Sequence, residues 1–183
     1  MKKVFLTLLT CVSMHFAFAQ ETHPAIQKGK WMVETNLSPI SGLSTSGFSL
    51  LTNDGNTSWS IGGETGYFFQ DKLAVKVGLG YISQKIGDIS LGDYTVEGST
   101  QNMFTYKAGL KYYISNVLPV QVDLGGLSQD GENALLLGGQ VGYAIFVKDN
   151  IAIEPAVRYD HGLNDNATGV KAFSARVGFS LHF

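Results

Sequence analysis

The sequence is short of cysteine, proline and charge. Its 183 residues include one Cys and four Pro, and 15% are Asp, Glu, Lys or Arg, against about 25% in an average soluble domain. One cysteine excludes an intramolecular disulfide and a thiolate metal centre. So few charges beside 11% aromatic residues exclude a disordered chain, and the composition lacks the Ala/Glu/Lys/Leu/Arg excess of a coiled coil. No apolar run of 18 residues follows Ala19, so no helix of the mature chain spans a bilayer. No basic cluster exists to neutralise phosphates, which removes nucleic acid from the partners. What remains in quantity is glycine (22 residues) and apolar side chains (44%).

The first residues read as an export signal. Lys2 and Lys3 form a basic start, Val4 to Phe18 is apolar apart from scattered Thr, Ser, Cys and His, and Ala17-Phe18-Ala19 has the small-x-small form of a cleavage site. Cleavage after Ala19 leaves Gln20 as the first mature residue. A lipoprotein signal acylated at Cys11 is the rival, but Thr10 stands where a small Gly or Ala is expected and the apolar stretch runs on past it. Cleavage also removes the only cysteine, and by taking Lys2 and Lys3 it moves the formal charge from −2 to −4.

From there the chain alternates with period two, the signature of strands. In the last segment Phe173, Ala175, Val177, Phe179, Leu181 and Phe183 are apolar, and Ser174, Arg176, Gly178, Ser180 and His182 lie between them. A strand places two such sets on opposite faces; a helix would mix them. The pattern predicts eight strands, near 29–38, 57–68, 73–83, 102–114, 119–128, 134–147, 151–161 and 171–183. Tight turns at 70–72, 115–118 and 148–150 alternate with long polar connections at 39–56 and 84–101 and shorter ones at 129–133 and 162–170. Short connections thus gather at one end of an up-and-down sheet, and eight such strands close into a barrel without edges. The domain boundaries are 1–19 for the signal, 20–28 for a short N-terminal segment and 29–183 for the barrel.

Alternation does not say which face meets water. A soluble lipocalin-like carrier is apolar inside; a membrane barrel is apolar outside. The polar face decides. It is rich in glycine (Gly78, Gly80, Gly109, Gly125, Gly138, Gly142, Gly178), as a narrow lumen requires, and its charges balance. Glu34, Glu64, Asp123, Glu154 and Asp160 stand against Lys76, Lys107, Lys111, Arg158 and Arg176, as a buried polar interior demands. The apolar face carries aromatics near both strand ends. Trp31, Tyr67, Phe69, Tyr112, Tyr143 and Phe183 lie towards the short turns, and Trp59, Tyr81, Phe104, Tyr159 and Phe173 towards the loops. Two aromatic girdles of this kind flank a bilayer core.

Two stretches carry a family resemblance: Gly66-Tyr67-Phe68-Phe69-Gln70-Asp71-Lys72-Leu73-Ala74-Val75, and the terminal Phe179-Ser180-Leu181-His182-Phe183. With the alternation around them, they make the chain resemble small outer-membrane β-barrels of the OmpA/OmpX type. The resemblance implies an all-β, eight-stranded antiparallel up-and-down transmembrane β-barrel in the outer membrane of a Gram-negative-type envelope, with both termini and the short turns in the periplasm. It also implies that Phe179, Leu181 and Phe183 form the signal read by the outer-membrane assembly machinery. Outer-membrane lipid and lipopolysaccharide are the surrounding partners, and any extracellular ligand is unspecified.

Chemical motifs are sparse, and the reading is of no enzyme, no cofactor and no metal. Some eight-stranded barrels deacylate lipid A with a His-x-Ser-Asn stretch, but in His161-Gly162-Leu163-Asn164 the serine position is Leu163. Asn53-Asp54-Gly55-Asn56 and Asn164-Asp165-Asn166 have the composition of turns. Gly78-x-Gly80 lacks the third glycine and helix of a dinucleotide site. His182 is expected on the lumen face near the periplasmic mouth as a polar plug. An interior this narrow leaves at most a restricted porin-like path, and function is expected in the loops at 39–56, 84–101 and 162–170. A secreted lipocalin-like carrier and a lipid A-modifying enzyme are the alternatives.

Overall fold

The structure is a computed structural model that describes residues 21–37, 47–53, 56–87, 89–91 and 94–183. Ala17, Ala19 and Cys11, which the sequence reading assigns to an export signal, lie outside the described residues. Among the described residues twelve strands follow one another: β1 Trp31–Leu37, β2 Gly47–Asn53, β3 Asn56–Gln70, β4 Leu73–Ile86, β5 Ile89–Leu91, β6 Tyr94–Val96, β7 Ser99–Ile114, β8 Leu118–Gln129, β9 Glu132–Gly142, β10 Ile145–Lys148, β11 Ile151–Gly162 and β12 Lys171–His182.

These strands build a closed antiparallel barrel of eight staves. β3, β4, β7 and β8 pair in sequence, β9 follows β8, and β11 and β12 lead back to β1. The seam closes because β1 pairs with both β12 (Met32↔His182 to Leu37↔Val177) and β3 (Trp31↔Tyr67 to Glu34↔Glu64). β1 covers only the short-turn half of the β3 edge. β2 covers the other half, from Gly47↔Gly62 to Asn53↔Asn56, so β1 and β2 share one stave. β9 and β10 share another: the ladder is interrupted at Tyr143-Ala144, where the Ala144 amide donates instead to the Val117 carbonyl at 2.7 Å.

Several boundaries differ from the sequence reading, each for a local reason. The first strand begins at Trp31 because Gly29 sits at φ +92°, outside extended backbone. The connection read at 129–133 is a two-residue turn, Asp130-Gly131, both at positive φ as a hairpin of matching twist requires. The segments read as loops at 39–56 and 84–101 contain β2, the extended ends of β4 and β7, and the β5–β6 hairpin. The ends of β4 and β7 carry polar runs, Ser83-Gln84-Lys85 and Gln101-Asn102, and β2 carries two adjacent apolar residues, Leu50-Leu51, so no apolar alternation marks these strands.

Side chains divide by parity. On β4, Val75, Val77, Leu79 and Tyr81 face outward and are 38–58% exposed, while Ala74, Lys76, Gly78 and Gly80 face in and are buried. Leu110, Val122, Leu124, Leu137, Val157, Val177 and Leu181 continue the same outer band. This is the inverse of a soluble carrier. A continuous exposed apolar belt of this size belongs to a surface covered by lipid or protein. Outward aromatics close the belt at each end, with Trp31 and Tyr67 rings 5.1 Å apart near the short turns and Trp59 and Tyr81 5.4 Å apart towards the loops.

The molecule's apolar core lies inside one end of the barrel. Met32, Phe68, Ala74, Tyr113 and Ala144 form a floor at the short-turn mouth, and Ala25 and Ile26, which precede β1, complete it. Above that floor the described inward side chains in the middle of the lumen are mainly charged or polar, with glycines and Ala156 between them.

Candidate functional site: the charged lumen

Successive inward positions on seven staves place the charges. Glu34 comes from β1, Glu64 from β3, Lys76 from β4, Lys107 and Lys111 from β7, Asp123 from β8, and Glu154, Arg158 and Asp160 from β11; Arg176 comes from β12. All ten side chains are buried, from 0% exposure at Lys111 to 7% at Lys107. Glycines opposite give them room. A β-carbon at Gly138 would overlap the Arg158 guanidinium, and one at Gly109 would overlap the Asp123 stave.

Nine of the ten belong to one connected set. Lys111 bridges Glu154 at 2.5 Å and Glu34 at 2.7 Å. Lys76 joins Glu34 to Glu64, both at 2.8 Å, and Lys107 takes the other oxygen of Glu64. Gln121 carries the set upward, accepting from Lys76 Nζ at 3.1 Å and donating to Asp123 at 2.7 Å. Arg158 then clamps Asp123 with both terminal nitrogens and reaches Asp160 with Nε and Nη2. Each carboxylate therefore meets at least one cation, the condition under which buried charge is tolerable. Arg176 stands apart from these ion pairs: Nη2 donates to Ser174 Oγ at 3.3 Å and Nε has no hydrogen-bond partner among the described residues.

Neutral groups finish the network, and their parity with the charged positions is the signal that marks them. Asn36, two residues from Glu34, donates to Glu34 at 3.0 Å and to Glu64 at 3.3 Å. Tyr113, two residues from Lys111, donates to Glu154 at 2.7 Å. Ser180 lies 3.2 Å from Glu154 and 3.1 Å from His182 Nε2. His182 Nδ1 lies 2.9 Å from the Ala25 carbonyl, which can only accept, so Nδ1 carries a hydrogen. His182 thus ties the floor of the lumen to the charged middle.

Between Thr105, Lys107, Asp123, Leu127, Leu136 and Arg158 lies a cavity of about 20 Å³. That is room for about one water molecule.

The remaining sequence candidates lie elsewhere. His161 is on the outer face, its ring stacked on Tyr159 at 6.5 Å. Asn164 braces the loop end: its Oδ1 accepts from the Leu135 amide and its Nδ2 donates to the Asn133 carbonyl. Phe179, Leu181 and Phe183 face outward, 40–59% exposed, and Phe183 exchanges two backbone hydrogen bonds with Trp31 at the seam. Asp54 and Gly55 fall outside the described residues.

Comparison with known proteins agrees with this architecture. The outer membrane protein beta-barrel domain family matches residues 4–183. No curated protein matches the chain in sequence. Among solved structures, the N-terminal β-barrel domain of OprF from Pseudomonas aeruginosa is similar, with 14% identity and a TM-score of 0.50 over 85% of this chain and 98% of that one. OprG of the same organism shares 16% identity with a TM-score of 0.47, covering 86% of this chain and 97% of its own. Ail of Yersinia pestis, in a phospholipid nanodisc, shares 13% identity with a TM-score of 0.45, covering 85% and 100%. At such identities the OprF likeness concerns the fold alone. A barrel with lipid-type side chains outside and paired charges inside, matched along nearly its whole sequence, belongs to the outer membrane protein beta-barrel domain family.

Proposed function

We propose that this outer-membrane barrel is a non-catalytic envelope protein whose lumen passes no large solute and whose contacts are made at its loop end. The connected ion pairs of the lumen carry the reading: a path for solute would have to break several buried bridges together, at several kcal/mol each. The loop end offers material for contact instead. Beyond the outer aromatics Tyr81 and Phe104, β3, β4 and β7 continue as a wall bearing the polar residues Thr57, Ser58, Gln84, Lys85, Gln101 and Asn102. Surface contact, adhesion or envelope integrity are the roles this wall supports. Lipid A deacylation has no geometry behind it, since His161 faces outward and Asn164 holds the loop.

The same reading has residues 1–19 removed on export, the short turns in the periplasm, lipid and lipopolysaccharide around the belt, and Phe179, Leu181 and Phe183 read by the assembly machinery. One preparation tests the core of it. The protein is expected to fractionate with outer membranes, to have lost the mass of its first 19 residues and to be electrically silent in planar bilayers. Large, stable solute conductance would overturn the closed lumen, and recovery as a soluble protein without detergent would overturn the barrel's place in the membrane.

A further inference from the structure

The segment before β1 crosses the short-turn mouth, and it does so with a purpose-built underside. The Asn116 side chain, in the β7–β8 turn, donates to the Glu21 carbonyl at 2.8 Å. The His23 ring then stacks on Phe146 at 3.9 Å and 19°. Pro24–Ile26 makes one short 3-10 turn that points Ala25 and Ile26 into the mouth, 3% and 0% exposed. Next, the Lys72 amide donates to the Ile26 carbonyl at 2.7 Å and the Lys28 amide to Asp71 Oδ1 at 2.8 Å, both in the β3–β4 turn. The strap therefore runs from one turn to another, over the opening between them.

We propose that residues 21–28 are a hinged lid that seals the periplasmic mouth of the lumen, so that its displacement, and not the rearrangement of the barrel, admits water and small solutes to the floor. Three features of the structure carry this. The lid inserts the two side chains that complete the apolar floor, and without them Met32, Phe68 and Tyr113 would face the aqueous end. The bonds from Asn116, Lys72, Lys28 and His182 that hold it lie outside the strand ladders, so it can leave with every stave still paired. And it joins β1 through Gly29, at φ +92° with nothing within 4 Å of where a β-carbon would be, a pivot that only glycine adopts without strain. Through His182 the lid also ends the chain that runs by Ser180 to Glu154, so the closed lid and the charged lumen share one hydrogen-bonded path.

The lid is separable from the closed lumen proposed above. Ala152 reads the floor: it is 0% exposed and faces inward opposite Ser180. In the full chain carrying Cys11→Ser and Ala152→Cys, a charged, membrane-impermeant maleimide reaching the periplasmic side should label Cys at position 152 about a hundredfold more slowly than in the unfolded protein, since labelling requires opening. Adding Ile26→Asp should raise that rate about tenfold while heat-modifiable migration on gels persists. Rapid labelling with the native lid, or an unchanged rate in a folded Ile26→Asp barrel, would overturn the lid. If Ile26→Asp does not fold, Ile26→Ala takes its place, with a smaller increase expected and no increase refuting. Conductance by the unaltered protein would count against the closed lumen and leave the labelling comparison to decide the lid.

Discussion

Lys111 is the most informative residue to remove. Its ammonium joins Glu34 to Glu154 with no solvent exposure, and it stands 5.2 Å over the Tyr113 ring. In Lys111→Met, Glu34 keeps Lys76 at 2.8 Å and the Asn36 amide. Glu154 keeps only neutral donors, Tyr113 at 2.7 Å and Ser180 at 3.2 Å. One carboxylate is thereby left buried without a cation, and breaking a buried pair from one side costs about 3–5 kcal/mol. Removing the stranded charge as well should recover most of that, because a buried pair replaced at both ends is often close to neutral. Urea unfolding in phospholipid vesicles, followed by Trp31 and Trp59 fluorescence and by migration of unheated samples, gives the free energies. Lys111→Met is expected to lose about 3–5 kcal/mol, and Lys111→Met with Glu154→Gln to show a favourable coupling of about 2 kcal/mol. A single-variant cost under about 1 kcal/mol, or simple additivity in the double variant, would mean that these ion pairs do not hold the lumen.

Two further substitutions separate the faces of the barrel. Val77→Arg places a charge midway along the outer band and should cost about 2–4 kcal/mol, whereas Ser83→Arg, beyond the Tyr81 ring, should cost about 0–1; equal losses in the same urea assay would contradict the membrane placement. Gly138→Ala drives a β-carbon into the Arg158 guanidinium and within 2.7 Å of Asp123 Oδ1, for an expected loss of about 1–3 kcal/mol. Its neighbour Gly139 has nothing within 4 Å on the outer side, so Gly139→Ala should be near neutral; comparable losses at both would show that crowding is not the cause.

The fold was legible wherever one face of a strand met lipid and the other the lumen. Val75 to Tyr81 and Phe173 to Phe183 alternate because the two environments differ, and that difference is written residue by residue. Above the outer aromatics it disappears. Ser83-Gln84-Lys85 and Gln101-Asn102 have water on both sides, so the extensions of β4 and β7 carry no periodic signal. β2 is obscured differently, by Leu50-Leu51, two adjacent apolar residues of which both are 60–70% exposed. The inward charges were legible as a balanced set, but their partners were not. Glu34 and Lys111 sit on staves that never pair in the sheet, and they meet across the lumen only because the barrel closes. The lid left least trace: Pro24-Ala25-Ile26 is three residues with no period, and its apolar side chains gain meaning only from the mouth that receives them.

The connected ion pairs also constrain how such a sequence can drift. On the outer belt Val, Leu and Ile can replace one another singly, since a fluid acyl chain adapts to either shape. Inside, Arg176 apart, a charged position that changes alone takes a counter-charge from a partner, in most cases on another stave. Glu34 answers to Lys76 and Lys111, Glu64 to Lys76 and Lys107, and Asp123 and Asp160 both to Arg158. The lumen should therefore change by compensated pairs between staves distant in sequence, and relatives of this chain should preserve its internal charge sum more faithfully than the identity of any residue contributing to it.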